Sequence, residues 1–133
     1  MRGSCLCQAI VYEVSRLDSA IAHCSCRTCR KAHSAAFNIY AEVKHEHFAW
    51  VKGEELLASF ESSPGKMRYF CSRCGTQLIA KREKKGHVIL QVASLDDDPG
   101  VTPQFQIWAS HEVRWLDYGK HIAAYAEWEP DHA

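Results

Sequence analysis

FCSRCGTQ, residues 70–77, decides how the rest of the chain is read. Cys71 and Cys74 are two residues apart and Gly75 follows them. That is the pattern of a zinc knuckle, in which backbone amides turn toward the sulfurs and a glycine takes the positive φ that the turn needs. A tetrahedral structural zinc uses four donors, usually as two local pairs from separate segments. Cys5 and Cys7, with Gly3 and Ser4 ahead of them to let the backbone fold both thiols inward, supply the second pair. The sequence therefore predicts a closed site of Cys5, Cys7, Cys71 and Cys74.

Outward from this pair, HCSCRTCRKAH, residues 23–33, holds the other three cysteines, Cys24, Cys26 and Cys29. They lie within six positions and suit one metal on one face. His33, four residues past Cys29, or His23 would close this site as a second structural centre. If neither does, the fourth position belongs to water or substrate, which is the mark of a catalytic zinc. Three thiolates make zinc a weak Lewis acid, better suited to a soft incoming thiol than to generating hydroxide. Arg27, Arg30 and Lys31 flank the group and are candidates to offset its charge or hold an anionic substrate. An iron–sulfur cluster would need a fourth corner, and no cysteine remains for it once the other four are paired. A thiol redox pair of Cys26 and Cys29 would need an exposed, low-pKa thiol free of metal.

Seven cysteines in 133 residues form an odd count without a secretory leader, so metal or catalytic thiols in a reducing compartment are expected, not a disulfide scaffold. Sixteen basic and sixteen acidic residues cancel, which argues against a nucleic-acid or anionic-membrane surface. No stretch approaches the roughly 18 apolar residues of a membrane span. The expectation is one domain, 1–133, soluble and cytoplasmic.

The intervening sequence is a series of short β-branched and aromatic runs: residues 9–14, 20–24, 37–43, 48–51, 56–60, 67–70, 76–80, 88–93 and 105–108. Breakers at Gly53, at residues 62–65 and at residues 96–100 (DDDPG) separate them. This predicts a mainly β chain. Residues 27–33 read as a metal-bearing turn, residues 81–85 (KREKK) as a solvated hairpin end, and the stretch from Glu127 as a fraying tail. His45 and His47 read as surface histidines. Trp50, Trp108, Trp115 and Trp128, with Phe37, Phe60, Phe70 and Phe105, read as core or interface residues.

GSCLCQAIVYEV (3–14), HCSCRTCRKAHSAAF (23–37), KGEELLASFESSPGKMRYFCSRCGTQL (52–78), ASLDDDP (93–99) and QIWASHEVRW (106–115) together resemble the glutathione-dependent formaldehyde-activating enzyme family. All three cysteine groups match in order and spacing. The resemblance implies a tent of several short, coiled antiparallel sheets pinned by a structural Zn2+ on Cys5, Cys7, Cys71 and Cys74. It also implies a catalytic Zn2+, open to partial occupancy, on Cys24, Cys26 and Cys29. The implied activity is that of a carbon–sulfur lyase on a thiol–aldehyde adduct such as S-(hydroxymethyl)glutathione, with a glutathione-like thiol as partner and neither nucleic acid nor membrane. Many relatives carry His between the first two cysteines of the central group, where this chain has Ser25. The rival reading is a zinc-pinned protein-binding module in which both metals are structural.

Overall fold

The computed structural model describes residues 1–117 and 122–130. Ten short strands, one helix and several 3-10 turns make up the described residues. Strands β1 (Arg2–Ser4), β2 (Val11–Val14) and β5 (Phe48–Lys52) form a three-stranded antiparallel sheet, in the order β1-β2-β5. The second sheet has seven strands: β3 (Ala22–Cys24), β4 (Asn38–Lys44), β6 (Leu57–Ser63), β7 (Lys66–Cys71), β8 (Gln77–Arg82), β9 (His87–Gln91) and β10 (Phe105–Ile107). Its order is β10-β3-β4-β9-β8-β7-β6. The mainly β expectation holds, with one addition: β10 joins β3 in parallel, a pairing at the sheet's end that the local pattern does not encode.

Alternation along the strands splits the large sheet into two chemically different faces. Val43 opposite Val88, and Ala41 opposite Leu90 opposite Ile79, face inward and are at most 1% exposed. Most of these join Ile10 and, from the small sheet, Tyr12 and Val14 in the main core. The other face carries Cys24 opposite Asn38, Glu42 opposite Ile89 opposite Ala80 opposite Arg68, and Lys66 opposite Arg82. Core chemistry and site chemistry thus alternate residue by residue along the same strands.

In the small sheet, Tyr12 stacks on Phe48 with centroids 5.3 Å apart and meets the Trp50 edge at 6.2 Å. Gly3 is required by this packing, since a Cβ there would stand 2.1 Å from Tyr12 Cζ. Its role is therefore space for a ring and not the freeing of the Cys5 turn. Gly75 does take the positive φ expected of it, at 80°.

Residues 27–33 differ from expectation. They form the two-turn helix α1 (Arg27–His33), because Cys26 caps the first turn, its Sγ accepting from the Cys29 N–H at 3.3 Å, and Arg30 and Lys31 complement the carbonyl end. Of the eight aromatics read as core or interface residues, Phe60, Phe105, Trp108, Trp115 and Trp128 are exposed and do not belong to the core. Residues 127–130 of the expected tail are exposed, and the remainder lies outside the described residues. No helix of the described residues is long and apolar enough to cross a membrane.

Candidate metal centres

The four sulfurs of Cys5, Cys7, Cys71 and Cys74 lie within 4.8 Å of one another. Bonds of about 2.3 Å in a tetrahedron place sulfurs about 3.8 Å apart. Cys7 Sγ is 3.6 Å from Cys5 Sγ and 3.8 Å from Cys71 Sγ, so the donor set fits a four-thiolate ion. Backbone amides turn toward the sulfurs as the knuckle demands: Ile10 N–H donates to Cys5 Sγ at 3.3 Å and Arg73 N–H to Cys71 Sγ at 3.4 Å. The Thr76 hydroxyl, 3.3 Å from Cys74 Sγ, holds that thiol down to about 5, so it is ready to bind as thiolate. Cys5 and Cys71 are buried within the main core, which makes this cluster part of the hydrophobic packing.

Cys24, Cys26 and Cys29 form the second cluster, again within 4.8 Å. Cys24 comes from the end of β3, Cys26 from the helix cap and Cys29 from the first turn of α1, so one strand-to-helix corner brings all three together on the face away from the core. Burial pushes the Cys24 thiol up to about 12, a cost that a bound cation would remove. All seven cysteines are free thiols, and both clusters can hold a metal ion.

Neither histidine joins the trio. The His23 ring stacks on Phe37, centroids 4.3 Å apart. His33 Nε2 accepts from Arg68 Nη1 at 3.3 Å, while Arg68 Nη2 donates to Cys29 Sγ at 3.5 Å. A guanidinium therefore stands between His33 and the sulfur. Burial and the adjacent cations Arg68 and Lys66 hold His33 down to about 4, which keeps it a neutral acceptor at neutral pH.

Arg68 is 3% exposed, and its Nε donates to Ser62 Oγ at 2.9 Å. No carboxylate among the described residues pairs with it. A buried guanidinium without a counter-ion is costly. A zinc with three thiolates would carry net charge near −1, so a loaded cluster and Arg68 would compensate each other.

The trio opens on a cavity of about 220 Å³, walled by Asn38, Tyr40, Lys66 and Arg82 and covered by Ile107 and Trp108. The flanking cations singled out by sequence behave differently. Arg30 Nε is spent on the Ser25 carbonyl at 3.2 Å, and Arg27 and Lys31 border neighbouring clefts. Lys66, Arg68, Arg82 and Asn38 were not singled out; the one local signal was an arginine inside the apolar run KMRYF, residues 66–70. Ser25 is fully buried, with its Oγ accepting from Gln106 Nε2 at 3.0 Å and its N–H donating to the Ile107 carbonyl at 3.2 Å. It fastens the 105–107 strand over the site. His47 pairs with Asp18 at 2.9 Å and belongs to neither cluster.

The sequence profile of the family described as glutathione-dependent formaldehyde-activating enzyme matches residues 1–111. A curated protein of Podospora anserina, named a putative glutathione-dependent formaldehyde-activating enzyme, is 28% identical over 116 residues. That alignment covers 82% of this chain and 54% of the relative, so the chain spans about half the relative's length. A crystal structure of a Rhodobacter sphaeroides protein superposes with a TM-score of 0.64 at 25% identity, over 80% of this chain and 98% of that one.

Proposed function

Because the chain belongs to the glutathione-dependent formaldehyde-activating enzyme family, we propose that it is a carbon–sulfur lyase-type zinc enzyme that makes and breaks a thiol–aldehyde adduct such as S-(hydroxymethyl)glutathione. Cys5, Cys7, Cys71 and Cys74 hold a structural zinc, and Cys24, Cys26 and Cys29 a catalytic one. The observation that carries this reading is the trio itself: three converging sulfurs, with no histidine of the described residues among them, opening on a cavity. When bound there, zinc supplies a coordination position that favours a soft thiol in its thiolate form.

The chain's own residues do the rest. Arg68 holds the Cys29 sulfur and offsets the negative charge of the thiolates. Ile107 and Trp108, drawn over the cavity by the Ser25 contacts, restrict water. In the reaction the thiol sulfur adds to the carbonyl carbon and the thiol proton ends on the carbonyl oxygen. The chain works as a single domain, 1–133, and its free thiols fit a reducing compartment, the cytoplasm.

The binding-module reading requires a protein ligand that closes the trio, and the placement of His23 and His33 speaks against it. The test is metal analysis of the purified chain followed by magnetic-resonance measurement of formaldehyde and glutathione exchange with their adduct. Exchange faster than the uncatalysed rate, lost when the metal is removed and regained with zinc, is expected. An unchanged rate at full zinc loading contradicts the proposal.

A further inference from the structure

Formaldehyde and its hydroxymethyl adduct leave the positive charge directly beside the three sulfurs without a partner. Lys66 and Arg82 stand directly opposite each other on β7 and β8, and both line the cavity beside the three cysteines. Like charges in direct cross-strand register repel. No ion pair among the described residues engages either one. Arg68 is already matched to Cys29, and Glu42, the acid on the lining, lies 3.5 Å from His87. Neither formaldehyde nor the hydroxymethyl group formed from it carries a charge that would use this pair.

A second observation comes from the same cavity wall. Asn38 is 6% exposed; its Nδ2 donates to Gln91 Oε1 at 3.1 Å, and its buried Oδ1 accepts from nothing. A buried acceptor without a donor is unusual and points to a group that arrives with a ligand. The cavity therefore offers two cations beside the sulfurs, and Asn38, on the wall it shares with a neighbouring cleft, carries an unpaired acceptor. The complementary ligand carries a carboxylate and a hydroxyl close to the carbon bonded to sulfur.

Resting on the proposed function, we propose that the aldehyde taken by this site is a 2-oxo acid of the glyoxylate type. In that addition the thiol sulfur bonds to the aldehyde carbon, the π pair moves to the carbonyl oxygen, and the thiol proton follows it. The product is a 2-hydroxy-2-thio acid, and no oxidant or reductant is consumed. Lys66 and Arg82 hold its carboxylate, and Asn38 Oδ1 accepts from its hydroxyl.

Glutathione has carboxylates of its own, so the test compares two thioethers that differ only at the carbon on sulfur: S-(carboxymethyl)glutathione and S-methylglutathione. Calorimetric titration of the zinc-loaded chain is expected to show the carboxymethyl compound bound about tenfold more tightly, the scale of one or two charge-assisted hydrogen bonds. In Lys66→Met/Arg82→Met the ratio is expected to fall toward one; Arg82→Gln, at an exposed position, repeats the test should the double variant fold poorly. Asn38→Leu is expected to weaken the preformed glyoxylate–glutathione adduct, which has the hydroxyl, more than the carboxymethyl thioether, which lacks it. Equal binding of the two thioethers by the wild type, binding of neither, or a ratio insensitive to the cation variants overturns the inference. None of those results touches zinc-dependent exchange of formaldehyde with glutathione, which tests the underlying activity separately.

Discussion

Arg68 concentrates the physics of the site in one side chain. It sits in the middle of β7 on the face away from the core, 3% exposed, and bridges His33, Ser62 and Cys29. Its placement turns His33 from a candidate fourth ligand into an acceptor for a cation, which leaves the trio without an imidazole among the described residues. Arg68→Met is expected to lower zinc affinity at the trio by roughly 10- to 100-fold, the range seen when a partner of a metal ligand is lost. Lysine is not expected to restore it, because one ammonium cannot reach His33, Ser62 and Cys29 at once in planar geometry. Chelator competition on the purified variants measures this, and an unchanged rate of zinc release would show that Arg68 does not hold the ligand set. His33 also carries a pH signature. Its folded value lies below the unfolded one, so unfolded chains bind the extra proton first and stability falls as pH drops from about 6.5 toward 4.

At the scale of elements, the knuckle and the strand-to-helix corner make different demands on the fold. Cys71 ends β7 and is buried in the main core, so an ion on the four sulfurs would be part of what holds the two sheets together. Cys29 lies on a two-turn helix on the other side of the large sheet. Cys71→Ser is expected to unfold the chain, since structural zinc supplies on the order of 10 kcal/mol to small metallo-domains. Cys29→Ser is expected to keep the fold and lose activity. Circular dichroism with urea titration separates the two, and equal unfolding of both variants would remove the distinction between structural and catalytic sites. The cysteine groups were legible in the sequence because their donors are neighbours along the chain. The helix was not, because its start depends on a sulfur cap, which composition does not signal.

Across the whole molecule, what the sequence did not disclose is what long-range register creates. Lys66 and Arg82 meet because β7 and β8 pair at that register, and Asn38 meets Cys24 because β3 pairs with β4. A slip of one residue would send each of these side chains to the core face. Runs of alternating residues reveal strands but not their partners, so the cationic wall and the orphaned amide oxygen were invisible before the sheet was assembled. The parallel pairing of β10 and the exposure of Trp108 escaped for a related reason: residues 101–112 ride over the site and the sheet's end and do not enter the core.

The most direct test of the central claim, that the trio holds a metal with one position left for an incoming thiol, is the absorption spectrum of the cobalt-substituted chain titrated with glutathione. Added thiol is expected to intensify the sulfur-to-cobalt charge-transfer band and shift the d–d bands toward those of a four-sulfur site, in a saturable way that Cys29→Ser abolishes. A spectrum already characteristic of two closed sites and indifferent to glutathione would contradict the account.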